Sequence, residues 1–395
     1  MAAASLGLWL TVLTPIILVL PDRVGDLTPD SKSTNLSIVL GFGALAGLVA
    51  NPLVGWFSDR SVSRFGMRRP FLLGTSVAAA AGLLVIAAAG SIPVLTLGWC
   101  ITAGAANGMM AVLYALLPDH IPVQRRGFVS GLFGMTQAAA GVIGTVVAST
   151  APLGAALGVL GLFGVLSAVW LVVVLPDRVA ETDEHTPFSL RKLAGSFWVN
   201  PVRYPNFGWA WINRFLIFMS VSSVINYQLY YLTDTLGLHK DHAGDLVTVS
   251  TALQTVAVLL TAAVAGRISD RVGRRRVFVL GAALLAAAGM LALVFNPSET
   301  GFLIAMVMIA VGEGVYFAVD LALATQVLPD SEQAAGKDLG VFNLANQLPQ
   351  SLAPAVAPLF LAIGGTGHNY TALYTVGTLY AIVGAFSILR VRGVR

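Results

Sequence analysis

Twelve apolar stretches, each near the roughly 20 residues that an α-helix needs to cross a bilayer, run through this chain of 395 residues. In the first half they cover about 2–20, 34–57, 70–90, 92–117, 127–149 and 152–175. In the second half they cover about 208–233, 244–269, 277–297, 301–328, 339–363 and 371–390. A backbone in hydrocarbon must satisfy its own hydrogen bonds, and runs of this length do so as helices. Composition agrees: 56% of residues are apolar and 11% charged, with a mean hydropathy of +0.81. A soluble domain carries roughly 25% charged residues on a surface that faces water. Lipid must therefore face most of this surface. The expected fold is an all-α membrane protein of twelve transmembrane helices in two pseudo-symmetric six-helix halves. The first stretch has no basic lead and no small-residue cleavage site, so it reads as a membrane helix rather than a signal peptide. The single cysteine, Cys100, excludes a disulfide within the chain.

The basic residues alternate from loop to loop. Segments 58–69, 118–126, 176–207, 267–276 and 329–338, with the tail from Arg390, hold nineteen of the 23 Lys and Arg residues. The opposite loops hold Arg23, Lys32 and Lys240, and Arg214 lies inside a span. The positive-inside rule puts the rich side, and both termini, in the cytoplasm. The expected location is the plasma membrane, as in a bacterial inner membrane. This placement accounts for the net charge of +4 without a nucleic-acid partner.

Segment 176–207 is the longest loop and divides the chain into an N-terminal half, 1–175, and a C-terminal half, 208–395. Within it Thr186-Pro187 reads as an N-cap and first-turn proline. Leu190, Leu193 and Phe197 then share one face, as in a short amphipathic helix on the membrane surface. The halves also repeat. Gly55-Trp56-Phe57-Ser58-Asp59-Arg60 returns as Gly266-Arg267-Ile268-Ser269-Asp270-Arg271, and Leu117-Pro118-Asp119 as Leu328-Pro329-Asp330, both at an offset of 211. Gly127, Gly131 and Phe133 match Gly336, Gly340 and Phe342 at an offset of 209. Parallel repeats of this kind place a solute site between the halves near the midplane.

The Gly-x-x-x-Asp-Arg element followed by a basic cluster resembles the signature loop of the major facilitator superfamily. Its second copy runs on as Asp270-Arg271-Val272-Gly273-Arg274-Arg275. The first copy, from Asp59-Arg60 through Arg64 to Arg68-Arg69-Pro70, is three residues longer and resembles the sucrose-transporter branch, near the glycoside–pentoside–hexuronide group. The stretch from Gly340 to Gln350, with Asn343, Asn346, Gln347 and Pro349, resembles the same branch. The resemblance implies a secondary transporter working by alternating access, with Asp59, Arg60, Arg64, Asp270 and Arg271 locking one access state. Charge placement alone would explain the arginines, but not two aspartates at fixed spacing from Gly55 and Gly266. The sequence departs from plant-type sucrose transporters at Ala103, where they carry an acid in the fourth span.

Charged groups within spans are expensive and usually serve transport. Glu313 and Asp320 in the tenth span are the two acids away from loops and helix ends, and Arg214 in the seventh is the one basic residue inside a span. Seven residues separate the two acids, which puts them within about 20° on one helix face. Asp320 falls about 12 Å, and Arg214 about 9 Å, from the same membrane side, so the two can pair. Burial favours the neutral form of a lone carboxyl group, whereas an adjacent arginine favours the ionised form. Glu313 is then the better proton carrier, with Asp320 a coupled partner of Arg214. A purely structural ion pair is the competing reading. Asn343, Gln347 and Gln350 lie within about 60° on the eleventh span and suit a hydroxyl-rich solute, although amides also serve as glue between helices. Asn107 and Tyr114 on the fourth span, with Trp211, Arg214 and Tyr316, complete the candidate substrate contacts. Pro15 and Pro349 are expected kinks, and Gly154-x-x-x-Gly158 a helix-packing motif.

No phosphate-binding loop, zinc-protease motif or nucleophile elbow is present, so neither an enzyme nor a cofactor is expected. His239, Asp241, His242 and Asp245 read as a solvated loop rather than a metal site. The expected partners are a small solute (a sugar or glycoside), protons and lipids, with the chain acting as a monomer. Proton-coupled symport is the leading expectation, and proton-driven export of drugs or metabolites the alternative. Drug exporters of the superfamily carry a Gly-Pro-x-x-Gly-Gly element in the fifth span, where this chain has Gly131, Gly134, Gly141 and Gly144 without the proline.

Overall fold

The computed structural model describes residues 1–61, 63, 65–175, 203–327, 335–364 and 368–391. They form two compact units, Met1–Thr186 and Pro187–Arg395. The first contains α1 (Ala2–Thr14), α2 (Leu20–Leu27), α3 (Lys32–Asp59), α4 (Arg69–Ala88), α5 (Ile92–His120), α6 (Val123–Thr150) and α7 (Leu153–Val174). The second contains α8 (Pro205–Ile225), α9 (Gln228–Asp234), α10 (Lys240–Val272), α11 (Arg275–Phe295), α12 (Glu299–Val327), α13 (Ala335–Leu361) and α14 (Tyr370–Ser387). The amphipathic helix expected in 176–207 lies outside the described residues.

Eleven of the twelve apolar stretches form helices long and apolar enough to span a membrane, counted among the described residues. The remaining stretch forms α13, which is as long as its neighbours. Its amides and its three prolines, Pro349, Pro354 and Pro358, lower its apolarity, and only Leu352–Leu361 registers as a short apolar helix. Two spans are not continuous α-helix. Pro15 opens a π-helical turn, Pro15–Val19, joining α1 to α2 into one 26-residue span. Proline lacks the N–H that would continue the ladder, and a π turn absorbs the mismatch. The seventh span breaks at Asn226 and Tyr227, where Tyr227 N–H bonds to Val224 O at 3.1 Å before α9 begins.

The repeat is visible in helix pairing. In the first unit α5 packs on α3 and α4, α7 on α4 and α1, and α6 on α1. In the second, α12 packs on α10 and α11, α14 on α11 and α8, and α13 on α8, the same pattern in the same order. Each unit has its own core. Ala4, Leu8, Leu72, Leu113, Phe133 and Ala168 build the first. Phe207, Ile217, Ala282, Val319, Phe342 and Ala385 build the second. Lipid tails are as apolar as leucine, so close approach of backbones must hold such bundles together. Outward faces carry exposed Leu260, Trp170, Val173 and Leu359. Gly154 and Gly158 are among them in effect: a Cβ there would meet nothing within 4 Å, so the expected packing motif joins no helix of this chain among the described residues.

Both signature loops turn on glycine. Gly273 has φ +66° and caps α10, with its N–H bonded to Ser269 O. In the longer first loop the turn falls on Gly66, with φ +106°, just before α4. Such angles strain any residue with a Cβ.

Candidate functional site

The second unit holds a buried polar cluster where α8 meets α12. Arg214 Nη1 donates to Asp320 Oδ2 at 2.5 Å, and the two residues are 9% and 4% exposed. The guanidinium lies over Phe342 of α13, with its carbon 4.8 Å from the ring centroid, and over Phe218, at 5.6 Å. Arg214 Nε is buried and has no hydrogen-bond partner among the described residues. Two ions leave water here at considerable cost, which their mutual attraction and the aromatic faces offset in part. The neighbouring Asn213 donates through Nδ2 to Gly384 O of α14 at 2.8 Å and accepts from the Tyr316 hydroxyl at 3.1 Å. That hydroxyl also reaches the Asp320 carboxylate.

Glu313, two turns before Asp320 on α12, stands apart from this pair. It lines a crevice with Ile217 and Val221 of α8, Ala282 and Ala286 of α11, and Tyr316. Among the described residues its carboxyl group has no hydrogen bond and no ion pair. The structure thus brings together Arg214, Asp320, Tyr316 and Glu313, all within one unit.

Other candidate contacts are differently engaged. Trp211 donates its indole N–H to Val341 O at 2.9 Å and stacks on Phe215, so only its ring is left to meet a ligand. Asn107 donates to Ala103 O at 2.9 Å, while Asn51 donates to the Asn107 carbonyl. Tyr114 is exposed and packs its ring against Phe133 at 5.6 Å. On α13, Gln350 is exposed and Gln347 half-buried, Asn346 Oδ1 is buried without a partner, and the Asn343 side chain lies outside what is described. The His239–Asp245 segment forms no metal cluster among the described residues, and His242 pairs instead with Glu299 at 3.2 Å.

In the first signature loop Asp59 pairs with Arg68, which also donates to Ser58 Oγ at 2.9 Å. Arg60 lies over the Trp56 ring at 4.7 Å. Arg69 donates to Leu175 O at the end of α7. Arg64 and the Asp270 side chain fall outside the description, and Arg271 is exposed. Arg68 and Asn213 were not among the residues singled out from sequence. Arg68 sits in the basic cluster before Pro70, and Asn213 directly precedes the one basic residue within a span, so both carried a signal.

Two six-helix repeats of apolar spans, charged groups inside them and no catalytic constellation define a multi-pass secondary transporter. The sequence matches the family model of the Major Facilitator Superfamily over residues 2–244 and 210–394, and the chain belongs to that family. It is 41% identical over 63 residues to Sucrose transport protein SUC4 of Arabidopsis thaliana, covering 16% of this chain and 11% of that one. It is 35% identical over 142 residues to a probable 4-methylmuconolactone transporter of Cupriavidus pinatubonensis, covering 35% of this chain and 31% of that one. The chain therefore matches less than a third of the length of either relative. Its fold is similar to that of the nucleoside transporter NupG, with a TM-score of 0.74 at 14% identity, covering 99% and 98% of the two chains. It is also similar to a bacterial homologue of the human lysosomal transporter Spinster, with a TM-score of 0.67 at 14% identity, covering 98% and 93%.

Proposed function

We propose that this protein is a proton-coupled symporter of a sugar or glycoside, working by alternating access as a monomer in the plasma membrane with both termini in the cytoplasm. Residues 1–175 and 208–395 act as the two moving halves, joined by 176–207. Glu313 carries the coupled proton, and the Arg214–Asp320 pair responds to it. The observation that carries this reading is the carboxyl group of Glu313, set in an apolar crevice without a partner, beside an acid that has one. A lone carboxyl can exist neutral or ionised as access alternates, whereas a paired one is held ionised.

The hydroxyl-rich class of solute is supported by Gln347 and Gln350 on α13 and by Tyr114 on α5, groups able to donate and accept. Asn107, Trp211, Tyr316 and Asn343 shape the same site in this reading, with Asp59, Arg60, Arg64, Asp270 and Arg271 gating it. Uptake of a labelled panel of sugars and glycosides into proteoliposomes, with and without an inside-alkaline pH gradient, tests it. Accumulation of at least one of them only under the gradient is expected. Transport indifferent to the gradient, or transport of none of the panel, would overturn the reading.

A further inference from the structure

Glu313 and Asp320 stand about 10 Å apart along the axis of α12, at 1.5 Å per residue, too far to exchange a proton directly. Proton transfer needs heavy atoms within about 3 Å, or one bridging group. Tyr316 lies between them, three residues after one acid and four before the other, on the same helix face. It lines the crevice that Glu313 lines. Its hydroxyl, on a side chain only 2% exposed, has one proton and two acceptors within reach, Asn213 Oδ1 and the Asp320 carboxylate. Asn213 is held in place by its bond to Gly384 O, which keeps its oxygen turned to the hydroxyl. The other walls of the crevice are Ile217, Val221 and alanines, which cannot hold a bridging water.

We propose that the Tyr316 hydroxyl relays the coupled proton between Glu313 and Asp320, so that a proton taken up at Glu313 opens the Arg214–Asp320 pair. The relay rests on the assignment of Glu313 as the proton carrier. In the step, the Glu313 carboxylic acid gives its proton to Tyr316 Oη while the Tyr316 O–H proton passes to the Asp320 carboxylate. Glu313 ends as a carboxylate, Asp320 as a neutral acid and Tyr316 as a hydroxyl again, so charge is conserved and no tyrosinate forms. Neutral Asp320 no longer holds Arg214 by charge, and the guanidinium keeps only the faces of Phe218 and Phe342. Loss of the proton from Asp320 to water restores the pair. Arg214 from α8 is the charged group that faces this path from a neighbouring helix, while α11 offers it alanines and α14 a backbone carbonyl.

Time-resolved infrared spectroscopy of the full chain in nanodiscs after a pH jump tests the relay without a solute. Carboxyl bands are assigned by their loss in Glu313→Gln and Asp320→Asn. In Tyr316→Phe, which keeps the ring, the Glu313 band should rise at the parent's rate and the Asp320 band at least tenfold more slowly. Equal Asp320 rates in parent and variant would overturn the relay alone. Slowing of both bands together would assign Tyr316 a structural role and overturn it as well. Absence of any titrating Glu313 band would sink the proton-carrier assignment itself, and the relay with it.

Discussion

Arg214 and Asp320, 106 residues apart in sequence, meet at 2.5 Å inside the second unit, with one aromatic ring from α13 and one from α8 against the guanidinium. Breaking a buried pair by removing one partner strands a charge, at a cost of about 3–5 kcal/mol. Arg214→Met and Asp320→Leu should each lower the unfolding midpoint of the purified protein sharply. The double variant should recover a good part of the loss, with a coupling of at least ~1 kcal/mol. Additive losses in the cycle would mean that the two residues do not interact.

Glu313→Gln mimics the neutral acid and keeps the packing of the crevice. Proteoliposomes bearing it should exchange solute at equal concentrations, at a rate within a few-fold of the parent. They should lose accumulation driven by a pH gradient. A variant that still concentrates solute would transfer the coupling role to Asp320 or to another cation.

Asp59 is largely exposed, its side chain at 55%, so its pair with Arg68 contributes under ~1 kcal/mol to stability. If the pair holds an access state, Asp59→Asn and Arg68→Gln should each slow transport several-fold while thermal unfolding stays within a degree or two. The double variant should be no slower than the worse single one. A large fall in stability without a change in rate would make the contact merely structural.

Orientation is open to chemistry because Cys100 is the one native cysteine. In a Cys100→Ala background, a cysteine replacing His239 should react with an impermeant thiol reagent applied to whole cells. One replacing Thr182 should react only after the membrane is opened. The reverse pattern would invert the proposed topology.

The helical spans were legible because a run of about 20 apolar residues has few other places to go. The identity of Asp59's partner was not. Arg60, Arg64, Arg68 and Arg69 all follow within ten residues, and the choice of Arg68 depends on the turn at Gly66, which brings the start of α4 back against the end of α3. Trp211 was read as a ligand contact from its depth, yet its indole N–H is taken by the Val341 carbonyl of a helix 130 residues away. The glycines at 154 and 158 had the spacing of a packing motif, and spacing carries no information on which way the stripe faces.

By itself the sequence determined which segments enter the membrane, that the two halves repeat, and that Glu313, Asp320 and Arg214 lie inside spans. Each of these follows from hydrophobic length, from self-similarity or from the cost of a charge in lipid, and none requires knowing a neighbour. Only the tertiary structure decided which acid is paired. Glu313 and Asp320 share one face of α12, but α8 brings a guanidinium to one and Ile217 and Val221 to the other. Partnership depends on how two helices are rotated and staggered against each other. Packing across the whole bundle sets that rotation, and the period of a single helix does not encode it.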